Sequence, residues 1–101
     1  MSIGLTCFTK LAFTDLQHKL NEFATRYPDV FPAHYYLSNA GIPHPIQKEV
    51  SNEFGFDPIS YCYISVNNKS LKISTDEMAN MIRNELGAEN VIVLLNGEDL
   101  I

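Results

Sequence analysis

Residues 60–74 read SYCYISVNNKSLKIS, and this stretch decides the fold. Apolar and polar side chains alternate on both sides of Asn67-Asn68, a pattern typical of two strands joined by a two-residue turn. With the turn at these asparagines, Ile64 lies opposite Leu71, and one face of the hairpin is nearly all apolar. A register shift of one residue would mix the two faces. The sequence therefore predicts an antiparallel hairpin here.

The residues that follow the hairpin predict a helix and then a buried strand. Ser74 and Glu77 have the spacing of a capping box, and Gly87 is a residue type that commonly ends a helix. Residues 90–95, NVIVLL, form a continuous apolar run, which indicates a central strand buried on both faces. Asn96-Gly97 is a strong turn dipeptide, so we expect a short edge strand after it.

The residues that precede the hairpin begin with a strand and a helix. Residues 2–10 alternate with one apolar side, and Thr14 is the expected N-cap of a helix that Pro28 ends. The outer face of this helix carries two acid-first pairs at i,i+4 spacing, Asp15 with Lys19 and Glu22 with Arg26. Its core stripe consists of Leu16, Leu20, Phe23, Ala24 and Tyr27.

These elements predict an α+β fold in a single domain, residues 1–101. The order is βαββαβ, the ferredoxin-like arrangement, in which an antiparallel sheet carries the helices on one face. An irregular insert at about residues 28–58 holds all five prolines of the chain. Within it we expect a short strand at residues 34–37 and a short third helix that begins at Pro45 and ends near Gly55. The predicted apolar face of the third helix consists of Ile46, Val50 and Phe54.

The charge balance narrows the class of partner. Twelve acidic residues against seven basic ones give a net charge of −5, which argues against direct binding to nucleic acid or to an anionic membrane surface. It favours a basic protein partner. No apolar run approaches the roughly 20 residues of a membrane helix. The first ten residues lack the basic and apolar regions of a signal peptide, so we expect a cytoplasmic protein.

No catalytic, metal-binding or nucleotide-binding motif occurs in the sequence, so we expect no enzyme activity, no cofactor and no metal. Cys7 and Cys62 lack ligand spacing and are interpreted as small buried apolar residues. His34 and His44 lie ten residues apart in the insert. If the insert folds back on itself, these two histidines could form a metal or acid/base site.

Two uneven features predict a recognition surface in and beside the insert. Glu49 and Glu53 form a like-charge i,i+4 pair with Asp57 close behind, and such an acidic face suits a partner rich in lysine or arginine. All five tyrosines lie between residues 27 and 63, and tyrosine is favoured at protein interfaces. The predicted partner-binding residues are Tyr35, Tyr36, Glu49, Glu53, Asp57, Tyr61 and Tyr63.

Three functions fit this profile. The first, which we favour, is a bacterial immunity protein or antitoxin that neutralises a basic, nuclease-like toxin by steric and electrostatic blocking; short, acidic, tyrosine-rich and motif-free chains resemble such proteins. The second is a small ferredoxin-like ligand-binding domain or enzyme that acts as a homodimer and uses His34, His44 and Tyr63. The third is a structural subunit of a larger assembly, for which an exposed strand at residues 90–95 would be the signal.

Overall fold

A computed structural model describes residues 3–31, 33–67 and 73–101. None of the helices in these ranges is long and apolar enough to cross a membrane. The elements in chain order are β1 (Gly4–Thr9), α1 (Phe13–Arg26), β2 (Tyr35–Leu37), α2 (Pro45–Asn52), β3 (Ser60–Val66), α3 (Thr75–Leu86), a 3₁₀ turn (Ala88–Asn90), β4 (Val91–Leu95) and β5 (Asp99–Leu100).

The strands form one sheet in the order β2-β3-β1-β4-β5, and each neighbouring pair is antiparallel. The predicted α+β class is confirmed. The sheet differs somewhat from the predicted ferredoxin-like one, because β2 comes from the insert and a fifth strand, β5, pairs with β4 at the edge. Ile64 of β3 is opposite Leu5 on one side and Leu37 on the other. The residues predicted to complete its hairpin, 68–72, lie outside the described ranges.

The two faces of the sheet carry different helices. On the first face, α1 and α3 cover the main core, so the prediction of helices on one face holds for these two. The second face carries α2, whose Val50 packs against a smaller buried cluster of Phe8, Phe56 and Leu94. The insert therefore crosses to the opposite side of the sheet. The main core contains Leu5, Cys7, Leu16, Leu20, Phe23, Tyr35, Cys62, Ile64, Met78, Ile82 and Val93.

Locally encoded ends of elements are found where the sequence predicted them, with one exception. The Ser74 hydroxyl accepts a hydrogen bond of 3.1 Å from the Glu77 N–H, and Gly87 ends α3 with a φ of 93°. Asn96 and Gly97 have φ values of 54° and 73°, which fit a tight turn between β4 and β5. The prediction of Thr14 as an N-cap is wrong. The helix begins at Phe13, because the Leu16 N–H already donates to the Ala12 carbonyl at 2.9 Å.

The apolar run 91–95 is buried on both faces, as predicted for a central strand. β4 pairs with β1 and β5, and both Val93 and Leu94, which point to opposite faces, are inaccessible to solvent. Cys7 and Cys62 lie directly opposite each other on β1 and β3, and both are free and buried, as expected of small apolar residues. The hydrogen bond to Cys62 and burial raise the pKa of the Cys7 thiol well above its ordinary value.

Candidate partner-binding surface

Hydrogen bonds within the insert close both ends of α2. His44 is the N-cap, and its N–H donates to Gln47 Oε1 at 2.8 Å. At the other end, the hydroxyl of the buried Ser51 donates to the Phe56 carbonyl at 2.9 Å. The turn at Gly55, with a φ of 72°, then brings Phe56 back to the sheet. Val50 and Phe56 thus pack this eight-residue helix and its following turn against the second face.

The predicted apolar stripe of α2 is not its buried face. Ile46 is 75% exposed and Phe54 is 38% exposed, and only Val50 is packed against the sheet. The fully buried residue of the helix is Ser51. The prediction failed because a serine that satisfies a buried carbonyl replaces the expected apolar contact, a role that carries no periodicity signal.

The acidic residues predicted for recognition are all on the surface. Glu49 lies on α2, Glu53 is its C-cap and Asp57 follows, and all three are exposed. Among the described residues the ion pairs are His18 with Glu22 and Arg26 with Glu85, so none of these three carboxylates is paired there. The structure therefore presents unneutralised acid beside α2.

Three exposed isoleucines lie on α2 or near it in the chain. Ile42 precedes α2, Ile46 lies in its first turn and Ile59 precedes β3, with exposed fractions of 60%, 75% and 56%. Isolated exposed apolar residues are normal, but several of them around one acidic helix favour a protein interface.

The tyrosines divide between core and surface. Tyr35 is fully buried, and its hydroxyl donates to the Ile73 carbonyl at 2.8 Å. Its predicted role as a partner-binding residue is therefore corrected to that of a core residue. Neighbouring side chains of a strand point to opposite faces, so Tyr36 emerges on the second face and is 56% exposed. A three-residue strand is too short for its sequence to predict which of two adjacent tyrosines faces the core.

Tyr61 and Tyr63 lie half-buried on the second face, and each ring covers a glycine of a neighbouring segment. Tyr61 exchanges backbone hydrogen bonds of 2.9 and 3.0 Å with Gly41, and a Cβ at Gly41 would lie 2.7 Å from the Tyr61 ring. The ring of Tyr63 occupies the corresponding space over Gly4. These glycines leave room for the two rings.

The histidines of the insert do not form a metal centre in the described part of the chain. His44 is exposed at the N-cap of α2, and His34 is half-buried with its Nδ1 buried and without a hydrogen-bond partner there. Residues 3–31, 33–67 and 73–101 contain no group of three or more side chains suited to hold a metal ion.

Comparison with known proteins identifies the family of this chain. A family model described as CDI System Immunity Component matches residues 1–99. The chain belongs to this family. The prediction of an immunity-type protein is thereby confirmed.

Among solved structures, this immunity component is similar to a chain of "CdiA-CT/CdiI toxin and immunity complex from Burkholderia pseudomallei". The TM-score is 0.89 at 17% sequence identity, and the match covers 97% of this chain and 95% of that one. At this identity the likeness demonstrates a shared fold. No curated protein matches the chain.

Proposed function

We propose that this immunity component neutralises a basic, nuclease-like toxin in the cytoplasm by covering the toxin's surface, without catalysing a reaction. The contact surface is α2 together with the part of the second face that α2 leaves open. The observation that supports it most directly is the exposure of Glu49, Glu53 and Asp57, which have no ion-pair partner among the described residues. We call these three residues with Tyr36, Ile46, Tyr61 and Tyr63 the α2 surface.

The acidic residues of the α2 surface mainly increase the rate of association with the toxin. Exposed charges contribute little to stability, roughly 0–1 kcal/mol per pair, because water and salt screen them. They do steer an oppositely charged partner and raise its association rate. With a net charge of −5, the whole chain adds to this attraction. Binding through this surface is therefore expected to weaken as salt is added.

The apolar and aromatic groups of the α2 surface contribute most of the binding energy. Tyr36 and Ile46 project furthest into solvent, at 56% and 75% exposure. Tyrosine is common among the few interface residues that carry most of the binding energy. Tyr61 and Tyr63 are already fixed over Gly41 and Gly4, so ordering them on binding costs little entropy.

The test is inhibition of the cognate toxin domain by purified variants at low and high salt. Glu49→Lys with Glu53→Lys is expected to weaken binding at least tenfold and to reduce its salt dependence. The matched control is Asp15→Lys with Glu89→Lys, which makes the same change of charge at two exposed positions outside the α2 surface. Unchanged inhibition by the α2 variant, or equal losses for both variants, would reject this surface.

A further inference from the structure

The outer edge of β2 offers backbone hydrogen-bonding groups to a partner. Ser38 N–H donates to the Tyr63 carbonyl at 2.9 Å and Asn67 N–H to the His34 carbonyl at 3.0 Å, so alternate residues of this segment face β3. In an antiparallel pair, the backbone N–H and C=O of every second residue point away from the neighbouring strand. The N–H and C=O of Leu37 therefore face outward, and no described residue bonds to either.

A groove of about 270 Å³ runs between this edge and α1. Its apolar wall contains Leu20, Ala24 and Phe31, and its polar rim contains the amides of Gln17, Asn21 and Asn39. Among the residues that the structure describes, no charged side chain lines the groove, in contrast to the acidic α2 surface. Its size and lining fit a few uncharged side chains of an extended chain.

The side chain of Gln17 already makes a hydrogen bond to the backbone beside this edge. Its Oε1 accepts the Ala40 N–H at 2.8 Å, just beyond β2, and its Nε2 donates to Asn21 Oδ1 at 3.0 Å. A side-chain amide thus reaches this edge from α1 and satisfies one backbone donor of the segment that follows β2. Leu37, three residues earlier, lines the groove, and its backbone has no such partner among the described residues.

We propose that an extended, uncharged segment of the toxin lies in this groove and pairs with Leu37 as an added strand of the sheet. Addition of a strand to an open edge takes affinity from backbone hydrogen bonds and specificity from pockets for alternate side chains. Tyr36 connects the two surfaces, because it lines the groove and emerges on the second face. The inference rests on the proposed function, since it assigns a second contact to the same toxin.

The experiment measures amide hydrogen exchange at Leu37 and toxin affinity, both with the cognate toxin domain. In the complex, the Leu37 amide is expected to exchange at least tenfold more slowly than in the free protein. Asn21→Trp, at an exposed rim position, fills the groove and is expected to weaken binding at least tenfold with little change in salt dependence. Thr25→Trp, one turn further along α1 and outside the groove, is the control and is expected to bind within twofold of the unsubstituted protein.

The outcomes separate this inference from the proposed function. If the α2 charge variant loses binding while Leu37 exchange and the affinity of Asn21→Trp are unchanged, the groove proposal is wrong and the α2 surface stands. If the unsubstituted protein does not bind the toxin, both fail. Slower Leu37 exchange at high protein concentration without toxin would assign the groove to a second copy of this chain and overturn the proposal.

Discussion

The guanidinium of Arg26 on α1 donates two hydrogen bonds, of 2.8 and 2.9 Å, to the carboxylate of Glu85 on α3. The sequence had paired Arg26 with Glu22 on the same helix, and Glu22 instead contacts His18 at 2.6 Å. Both bonds come from Arg26 Nη1, and this ion pair joins the two helices that cover the main core. Its acid is almost buried, with 7% of the Glu85 side chain exposed against 55% of the Arg26 side chain.

This asymmetry predicts unequal effects of the two truncations. Arg26→Ala leaves an almost buried carboxylate without its partner and is expected to lower the free energy of unfolding by about 1–3 kcal/mol. Glu85→Gln leaves an arginine that water reaches, and the expected loss is smaller, about 1 kcal/mol. Urea unfolding of both variants measures the difference. Equal losses would mean that the burial of Glu85 does not matter.

Tyr35 is expected to couple stability to high pH. Burial, with a smaller contribution from Glu77, raises the pKa of its phenol above the ordinary 10.0. Below that value both the folded and the unfolded chain keep the proton, and above it the unfolded chain loses the proton first. The unfolded state is then favoured, so stability falls as pH rises past about 10. Tyr35→Phe is expected to remove this part of the decrease.

The same substitution tests the hydrogen bond of Tyr35 at neutral pH. Loss of the hydroxyl leaves the Ile73 carbonyl without this donor, and the expected decrease in unfolding free energy is about 1 kcal/mol. Tyr36→Phe changes an exposed ring and serves as the control, with an expected effect within about 0.5 kcal/mol. Equal effects of the two substitutions, measured by urea unfolding, would contradict the core role of Tyr35.

The two cysteines are expected to resist alkylation until the protein unfolds. Both are inaccessible to solvent, and the raised pKa of Cys7 keeps it as the unreactive thiol. Mass spectrometry after iodoacetamide treatment should show no labelled native protein and two labels per chain in urea. Rapid labelling of the native protein would show that β1 and β3 separate readily at this position.

Features encoded by neighbouring residues were predictable from the sequence. β3 has the predicted bounds, Ser74 caps α3 through its own side chain, and Asn96-Gly97 forms the turn before β5. Each depends on residues within a few positions of one another. Periodicity and turn chemistry are therefore sufficient to locate them.

Features that depend on distant residues were not predictable in the same way. The place of β2 beside β3 decides the strand order, and nothing near Tyr35 in sequence specifies it. The exposure of Ile46 follows from Ser51 and Phe56, which fix the opposite side of α2. For the binding surface, the acids and Tyr36 were predicted to lie outward and do so, whereas Tyr35 is in the core.

The close approach of the Tyr61 ring to Gly41 is expected to make this glycine necessary for stability. Gly41→Ala places a methyl group 2.7 Å from the Tyr61 ring, so the ring must move. The expected loss of unfolding free energy is about 1–3 kcal/mol, and it should shrink in a Tyr61→Ala background. A double-mutant cycle measures this coupling. Additive effects would show that the glycine is not required by the ring.

Ile46 offers the sharpest separation of binding from folding. Because its side chain is 75% exposed, Ile46→Ala removes little packing within the chain and should leave the thermal midpoint unchanged. If the side chain enters a pocket of the toxin, the substitution is expected to weaken binding about tenfold, or 1.4 kcal/mol. Phe13→Ala, at 43% exposure on α1 and outside the α2 surface, is the control and should bind like the unsubstituted protein. Calorimetric titration with the toxin domain measures the affinity of both variants. Equal affinities would exclude Ile46 from the interface.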